Sequence, residues 1–152
     1  MIGWLLDTNV LAELGRGDAA HPRVAAWASD QDPETLWISI LTIAEYEQGA
    51  AKLPADDERR RRIMATILTT QSDYADRVIS LSDSTVRLWG RLSGEVKRAT
   101  RHAPPVIDTM LAATAIERRL YLATRNVRDV RATGAPAFNP WTDDPARFPL
   151  SR

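Results

Sequence analysis

The sequence contains no cysteine and only two histidines, His21 and His102. Without cysteine the chain has no disulfide framework, no thiolate nucleophile and no zinc site with thiolate ligands. Two histidines are too few for a zinc site built on imidazoles, and both are predicted in loops near prolines, with no catalytic role. Any metal ion that this chain binds must therefore be held by oxygen ligands.

Long apolar runs are also absent. No stretch approaches the roughly 20 consecutive apolar residues of a membrane-spanning helix. The opening MIGWLLD lacks the basic segment and the long apolar core of a signal peptide. The length of 152 residues and the 44% hydrophobic content predict a single domain over residues 1–152, with no membrane partner and a cytoplasmic location.

The charges balance overall but are unevenly distributed along the chain. Residues 1–58 carry 11 acidic and 3 basic residues, whereas residues 59–131 carry 7 acidic and 15 basic residues. Because no Gly/Ser-rich tract separates these parts, we expect them to fold together. Acidic ligands beside a basic wall are typical of a metal-dependent nuclease, and a solvated surface with charges separated by chance is an equally compatible interpretation.

Apolar runs alternate with amphipathic segments along the chain. Strands are predicted at residues 2–6, 36–39, 78–81, 121–124 and 137–139. Helices are predicted at residues 8–16, 22–29, 41–53, 56–73, 83–101 and 105–119. This alternation predicts an α/β fold with a central, mostly parallel sheet. Ligands of such sheets bind beyond the carboxyl ends of the strands.

Asp7 ends the first predicted strand, in WLLDTNVLAEL. A carboxylate at the edge of a core needs a hydrogen-bond donor or a cation as partner. Asp is also among the best N-cap residues for a helix that begins at Thr8. The capping role and a catalytic role are compatible.

Glu45 has two interpretations as well. The stretch from Thr42 to Glu45 matches a capping box, in which the glutamate reaches back to a backbone N–H. The second predicted strand, however, ends at Ser39. If the following helix begins directly there, Glu45 lies in its second turn and has no capping role.

Asp108 lies in PPVIDTMLAATAIERR, which has no other charge before Glu117. On a helix, Ala112 and Ala115 share a face with Asp108, and this face of small apolar residues is predicted to be buried. An acid in the first turn also gains from the helix dipole. The dipole does not explain why so apolar a helix would turn its early charge inward.

These segments resemble a known family. LLDTNVLAEL, SILTIAEYEQGAAKL, PPVIDTMLAATA, LATRNVRDV and FNPW occur in the order and with roughly the spacing of PIN-domain ribonucleases, specifically VapC toxins of the FitB-like branch. The resemblance extends from Ile2 to Trp141. It implies a three-layer α/β/α sandwich and an endoribonuclease that depends on Mg²⁺ or Mn²⁺. It also implies a toxin of a type II toxin-antitoxin system, a homodimer, and a small DNA-binding antitoxin (VapB/FitA-like) that forms a hetero-oligomer with it.

Carried over residue by residue, the resemblance implies that Asp7, Glu45 and Asp108 are catalytic metal ligands. Mg²⁺ prefers such carboxylate oxygens, and a divalent ion can activate water and stabilise charge on a scissile phosphate. The chain departs from the family at the fourth acid. Asn126 stands where other members have Asp, and Asp129 precedes Val130 where many have Asp-Phe. Asp129 is the nearest replacement as a fourth ligand, and Asn126 can still orient water.

Two alternatives stay open at this point. One is a PIN-type nuclease outside toxin-antitoxin biology, and the other is a degenerate PIN domain that only binds RNA or a partner. The tryptophans are predicted mainly in the core or in an interface. Basic residues that flank the segments with the acids are candidates for RNA contacts, namely Lys97, Arg98, Arg101, Arg125, Arg128 and Arg131.

Overall fold

The computed structural model describes residues 1–151 of the chain. Its strands are β1 (Trp4–Leu6), β2 (Leu36–Ser39), β3 (Val78–Ile79), β4 (Tyr121–Ala123) and β5 (Ala137–Phe138). Its α-helices are α1 (Thr8–Leu14), α2 (Pro22–Ser29), α3 (Ile40–Ala51), α4 (Glu58–Asp73), α5 (Asp83–Thr100), α6 (Val106–Arg118) and α7 (Val127–Arg131). Short 3₁₀ turns lie at Gly17–Ala19, Pro33–Thr35, Ala75–Arg77 and Pro145–Arg147.

All five strands are parallel, in the order β3-β2-β1-β4-β5. The register places Leu6 of β1 opposite Ile38 of β2 and Ala123 of β4. Strands β2 and β3 are added on one side of β1, and β4 and β5 on the other. The crevice between the carboxyl ends of β1 and β4 is therefore a topological switch point, where ligands of open α/β sheets bind.

The residues of β1 alternate between two hydrophobic cores, as the two-residue period of a strand requires. Trp4 and Leu6 face one core, and Leu5 faces the other. Helices α1 to α4 contribute buried residues to the first core, namely Val10, Val24, Trp27, Ile43 and Ile67. Helices α6 and α7 contribute to the second, with Leu111, Ala112, Ala115 and Val130. Two helical layers thus enclose the sheet, and the predicted three-layer α/β/α sandwich is confirmed.

Aromatic rings fill the first core. Trp4 packs edge-to-face on Trp27 at 5.1 Å between ring centroids and contacts Phe138 at 4.9 Å. The expectation that the tryptophans belong mainly to the core is confirmed for Trp4 and Trp27, which are almost completely buried.

Several predicted boundaries were wrong by one to two residues, because end residues and caps were counted as parts of elements. Strand β1 begins at Trp4 rather than Ile2, which is half exposed. Helix α4 begins at Glu58 rather than at residue 56, because the Asp57 carboxylate accepts a hydrogen bond from the Arg59 N–H at 2.8 Å and so caps the helix. Among residues 1–151, no helix combines the length and the low polarity needed to cross a bilayer.

Gly3 lies directly before β1 and allows that strand to approach the chain before β2. A Cβ atom at Gly3 would overlap the backbone carbonyl oxygen of Thr35. We therefore expect Gly3→Ala to lower the free energy of unfolding by about 1–3 kcal/mol, the usual cost of overpacking. The matched control is Gly90→Ala in α5, because a Cβ atom at Gly90 meets nothing within 4 Å. This substitution should stabilise the helix by about 0.5–1 kcal/mol. Urea denaturation measures both, and equal stabilities would contradict this account of Gly3.

Candidate active site

Asp7 lies at the carboxyl end of β1, beside β4. Its backbone N–H continues the sheet by donating to the Ala123 carbonyl oxygen at 3.0 Å, and α1 begins at the next residue. Asp7 occupies the N-cap position of α1, but its carboxylate makes no capping hydrogen bond. The predicted N-cap position is thus confirmed without a side-chain capping hydrogen bond, although the backbone N–H groups of Thr8 and Asn9 still act on the carboxylate and lower its pKa. The carboxylate is directed elsewhere although Asp7 is only 6% exposed.

Two neutral side chains hold the Asp7 carboxylate. The Thr124 hydroxyl donates to Oδ2 at 2.6 Å, and the Asn9 side-chain amide donates to the same oxygen at 2.8 Å. Burial raises the pKa of Asp7 above its usual value, and these two hydrogen bonds lower it in part. Among residues 1–151, no lysine or arginine forms an ion pair with Asp7. The buried acid thus has donors but no cation.

Glu45 lies in the second turn of α3, as one of the two interpretations predicted. The helix begins at Ile40 because the Ser39 hydroxyl caps it, accepting a hydrogen bond from the Leu41 N–H at 3.1 Å. The capping-box interpretation of Glu45 is therefore wrong. Its carboxylate instead accepts a hydrogen bond from the hydroxyl of Thr8, the residue after Asp7.

Asp108 lies in the first turn of α6 and is partly buried. Ala112 and Ala115, on the same face, are completely buried, which confirms that this face turns inward. Burial is the largest cause that raises the pKa of Asp108, and the negative charges of Asp7, Asp129 and Glu45 contribute in that order; together they raise it to about 6. All of these acids therefore lie within electrostatic range of Asp108.

Asn126 and Asp129 frame the last side of the site. Asn126 precedes α7, and its backbone N–H donates to the Thr124 hydroxyl oxygen at 3.0 Å. Asp129 lies in the first turn of α7, and its N–H donates to the Asn126 carbonyl oxygen at 3.0 Å. Both residues are exposed. Because the charge of Asp129 acts on Asp108, Asp129 lies within electrostatic range of the acidic cluster, and Asn126 adjoins Asp7 through Thr124.

The donor chemistry of this cluster suits a hard divalent cation. Its acids offer only oxygen ligands, and in the part of the chain that the structure describes none of them is neutralised by an ion pair. Across residues 1–151, no three acidic side chains lie close enough together to form a ready metal cage. Binding an ion therefore requires the carboxylates to move inward, and the positive charge of the ion would offset the repulsion between them.

Sequence reasoning missed three residues of this site, namely Thr8, Asn9 and Thr124. Each contributes a hydrogen bond to Asp7 or Glu45. Their positions in the sequence could have indicated this role. Thr8 and Asn9 directly follow Asp7 in LLDTNVL, and Thr124 lies in LATRN. Polar residues next to a candidate acid at a strand end are natural candidates to orient it.

The basic residues predicted to contact RNA are all exposed. Within residues 1–151, none of the six forms an ion pair with an acid. Their charges are therefore not neutralised by an acid of the described residues and are accessible to a polyanion. They are Lys97, Arg98, Arg101, Arg125, Arg128 and Arg131.

A parallel sheet with acids at its switch point is typical of α/β proteins that bind a divalent metal ion. Comparison with known families identifies the family itself. The PIN domain matches residues 4–134, a range that includes all five predicted site residues. The chain therefore belongs to the PIN-domain family.

Relatives cover nearly the whole chain. VapC ribonuclease Y4jK of Sinorhizobium fredii is 31% identical over 140 residues, which span 90% of this chain and 96% of the relative. Toxin FitB of Neisseria gonorrhoeae is 29% identical over 142 residues, which span 91% of this chain and 99% of FitB. A structure of FitAB bound to an IR36 DNA fragment superposes with a TM-score of 0.80 at 25% identity, covering 93% of this chain and 97% of that chain.

The raised pKa of Asp108 predicts a pH-dependent stability in the absence of metal. A folded-state pKa of about 6, above the unfolded value of about 3.9, means that the folded state loses stability as the pH rises from about 4 to above 6. In EDTA we expect Asp108→Asn to be more stable than the natural protein at pH 7.5, by roughly 1 kcal/mol after allowance for solvent screening. The difference should vanish near pH 4.

Urea denaturation at several pH values measures this effect. The control is Asp56→Asn, an exposed aspartate in the loop between α3 and α4, which should show no such trend. A stability difference for Asp108→Asn that stays constant with pH would show that burial and the neighbouring charges do not disfavour the ionised form of Asp108.

Proposed function

We propose that this protein is a metal-dependent endoribonuclease that acts as the toxin of a type II toxin-antitoxin system. The observation that carries the proposal is the cluster of acids without a protein cation at the switch point of the sheet. Asp7, Glu45 and Asp108 come from three separate segments, and the charges of Asp7 and Glu45 act on Asp108 across this crevice. Family membership and the names of the relatives support the same activity.

In this proposal Asp7, Glu45 and Asp108 hold Mg²⁺ or Mn²⁺ through their carboxylate oxygens. A bound divalent ion supplies the positive charge that stabilises a phosphodiester as it is hydrolysed. Thr124 and Asn9 fix the orientation of Asp7 through their hydrogen bonds to Oδ2. Such supporting groups typically change metal affinity or activity by roughly 10–100-fold when they are removed.

Asp129 is proposed as the fourth metal ligand and Asn126 as a neutral site residue that orients water. Asp129 lies in the first turn of α7, close enough for its charge to act on Asp108. A neutral amide at position 126 adds no negative charge. Three carboxylates and a neutral amide hold a divalent ion less strongly than four carboxylates, so we expect weak Mg²⁺ binding and a preference for Mn²⁺.

We further propose that the protein acts in the cytoplasm and that a small DNA-binding antitoxin of the VapB/FitA type blocks the acidic crevice. The similarity to a chain in the FitAB–DNA complex supports this partner. The antitoxin complex is proposed to be a hetero-oligomer, and self-association into a homodimer stays a prediction.

The first test is metal-dependent cleavage of RNA by the purified protein. We expect cleavage with Mg²⁺ or Mn²⁺ and none in EDTA. Asp7→Asn, Glu45→Gln and Asp108→Asn should each lose more activity than the roughly 10–100-fold typical of supporting groups, because each removes a negative charge with little change in volume. Glu47→Gln is the matched control, since Glu47 is exposed on the same helix as Glu45 and should keep full activity.

The same variants also test the toxin role. Expression of the natural protein should arrest bacterial growth, Asp7→Asn should not, and co-expression of the antitoxin should restore growth. Cleavage that persists in EDTA would rule out the metal-dependent mechanism. Normal growth with well-folded, RNA-cleaving protein would instead favour a PIN-type nuclease outside toxin-antitoxin biology.

The fourth position is tested by two substitutions with opposite effects. Asp129→Ala should weaken Mn²⁺ binding and lower cleavage by about tenfold or more, as expected for a group that supports a metal site. Asn126→Asp should tighten Mg²⁺ binding because it adds a carboxylate at the mouth of the crevice. Calorimetric titration of both ions measures the effects. Unchanged binding in either variant would remove that residue from the site.

A further inference from the structure

A cavity whose wall contains none of the five predicted site residues opens beside the segment that follows β4. Its volume is about 300 Å³, and its wall includes Arg16, His21, Arg125 and Trp141. This volume is at the lower end of the roughly 300–1,000 Å³ typical of small-molecule sites. The cavity is therefore of a size to take a single small planar group with its substituents.

The cavity adjoins the acidic crevice through the chain after β4. Arg125 follows Thr124, which donates to Asp7, and the Arg125 backbone N–H donates to Asn9 Oδ1 at 3.2 Å. Asn9 in turn donates to Asp7. A ligand that occupies the crevice and continues along the surface at this side meets the Arg125 side chain next.

The wall of the cavity is cationic and aromatic. The Arg125 guanidinium carbon lies over the Trp141 ring, 5.2 Å from its centroid. Arg125 is exposed, whereas Trp141 is only partly exposed and packs against the first hydrophobic core. The backbone N–H of Trp141 donates to Asn139 Oδ1 at 3.0 Å, which fixes the main chain at this position. The arginine thus extends an aromatic surface that packing against the core holds in place.

Arg16 adds positive charge on the other side of the cavity. Its guanidinium contacts Glu13 at 3.1 Å, yet 58% of the side chain remains exposed. Glu13 is only 12% exposed and also accepts a hydrogen bond from the His21 N–H at 2.7 Å. Glu13 therefore serves to fix the loop, and the two arginines leave the cavity with a net positive charge suited to a phosphate.

We propose that this cavity is a nucleotide subsite for single-stranded RNA, adjacent to the bond that is cleaved. An unpaired base stacks on the wall formed by Arg125 and Trp141, and Arg16 contacts the adjoining phosphate. Unpaired RNA bases commonly stack on aromatic rings and on arginine guanidinium planes, whereas paired bases are not free to do so. This inference rests on the proposed ribonuclease function and adds to it the residues that hold a nucleotide beside the cleaved bond.

The test measures binding of fluorescein-labelled oligouridine and oligoadenosine to the complete protein in EDTA, by fluorescence anisotropy. Arg125→Ala should weaken binding of both by about tenfold. Arg125→Lys keeps the charge but loses the planar group, so it should restore little of that affinity. Arg16→Gln should weaken binding less and lower the salt dependence by about one phosphate contact.

Arg91→Gln is the matched control, because Arg91 is exposed on α5 and lies outside the cavity wall. Unchanged thermal unfolding verifies that the variants fold. A self-complementary RNA duplex should compete poorly. Full competition by the duplex, unchanged affinity in Arg125→Ala, or full rescue by Arg125→Lys would each overturn the subsite.

The outcomes also separate this inference from the proposed function. If the natural protein and Arg125→Ala cleave and bind RNA equally well, the subsite is wrong and the nuclease stands. If the natural protein neither binds nor cleaves RNA with Mn²⁺, both proposals fail. Loss of antitoxin binding in Arg125→Ala with unchanged RNA affinity would assign the cavity to the protein partner instead.

Discussion

The hydrogen bond from Thr124 to Asp7 is the interaction on which the candidate site depends. A carboxylate that is only 6% exposed and has no basic partner is tolerable because donors replace part of the water it has lost. The parallel register of β1 and β4 makes this contact possible, since it sets Leu6 opposite Ala123 and therefore brings the next residues together. The Thr124 hydroxyl also accepts a hydrogen bond from the Asn126 N–H. One hydroxyl therefore connects Asp7 to the segment that carries Asp129.

The crevice is electrostatically unfavourable without a cation. Burial and neighbouring charges raise the pKa of Asp108 to about 6. At neutral pH the ionised carboxylate of Asp108 therefore destabilises the folded state. A divalent ion that binds the folded state but not the unfolded one would add stability by mass action. The arrangement thus couples occupancy of the site to the integrity of the fold. The exposed arginines nearby attract a polyanion without neutralising the acids, because none of them reaches a carboxylate of the cluster within residues 1–151.

Much of the fold and part of the site follow from the sequence because they depend on local pattern. The alternating elements predicted the parallel sheet, and the alanines that share a helical face with Asp108 predicted that this acid turns inward. Glu45 was ambiguous, since its role depends on where α3 begins, and that is decided by a hydrogen bond from the Leu41 N–H to the Ser39 hydroxyl. Thr124 was missed for a different reason. It lies 117 positions from Asp7, and no local pattern encodes a contact over that distance.

The central position of β1 also determines when the candidate active site can form during synthesis of the chain. Strand β1 leaves the ribosome first, yet one of its two neighbours, β4, begins only at Tyr121. Until that neighbour emerges, Asp7 lacks the hydroxyl that holds it and the crevice lacks one side. A nascent chain that has not yet reached β4 is therefore an incomplete enzyme. For a protein proposed to attack RNA, this order of assembly means that the active site is completed only after β4 has been synthesised.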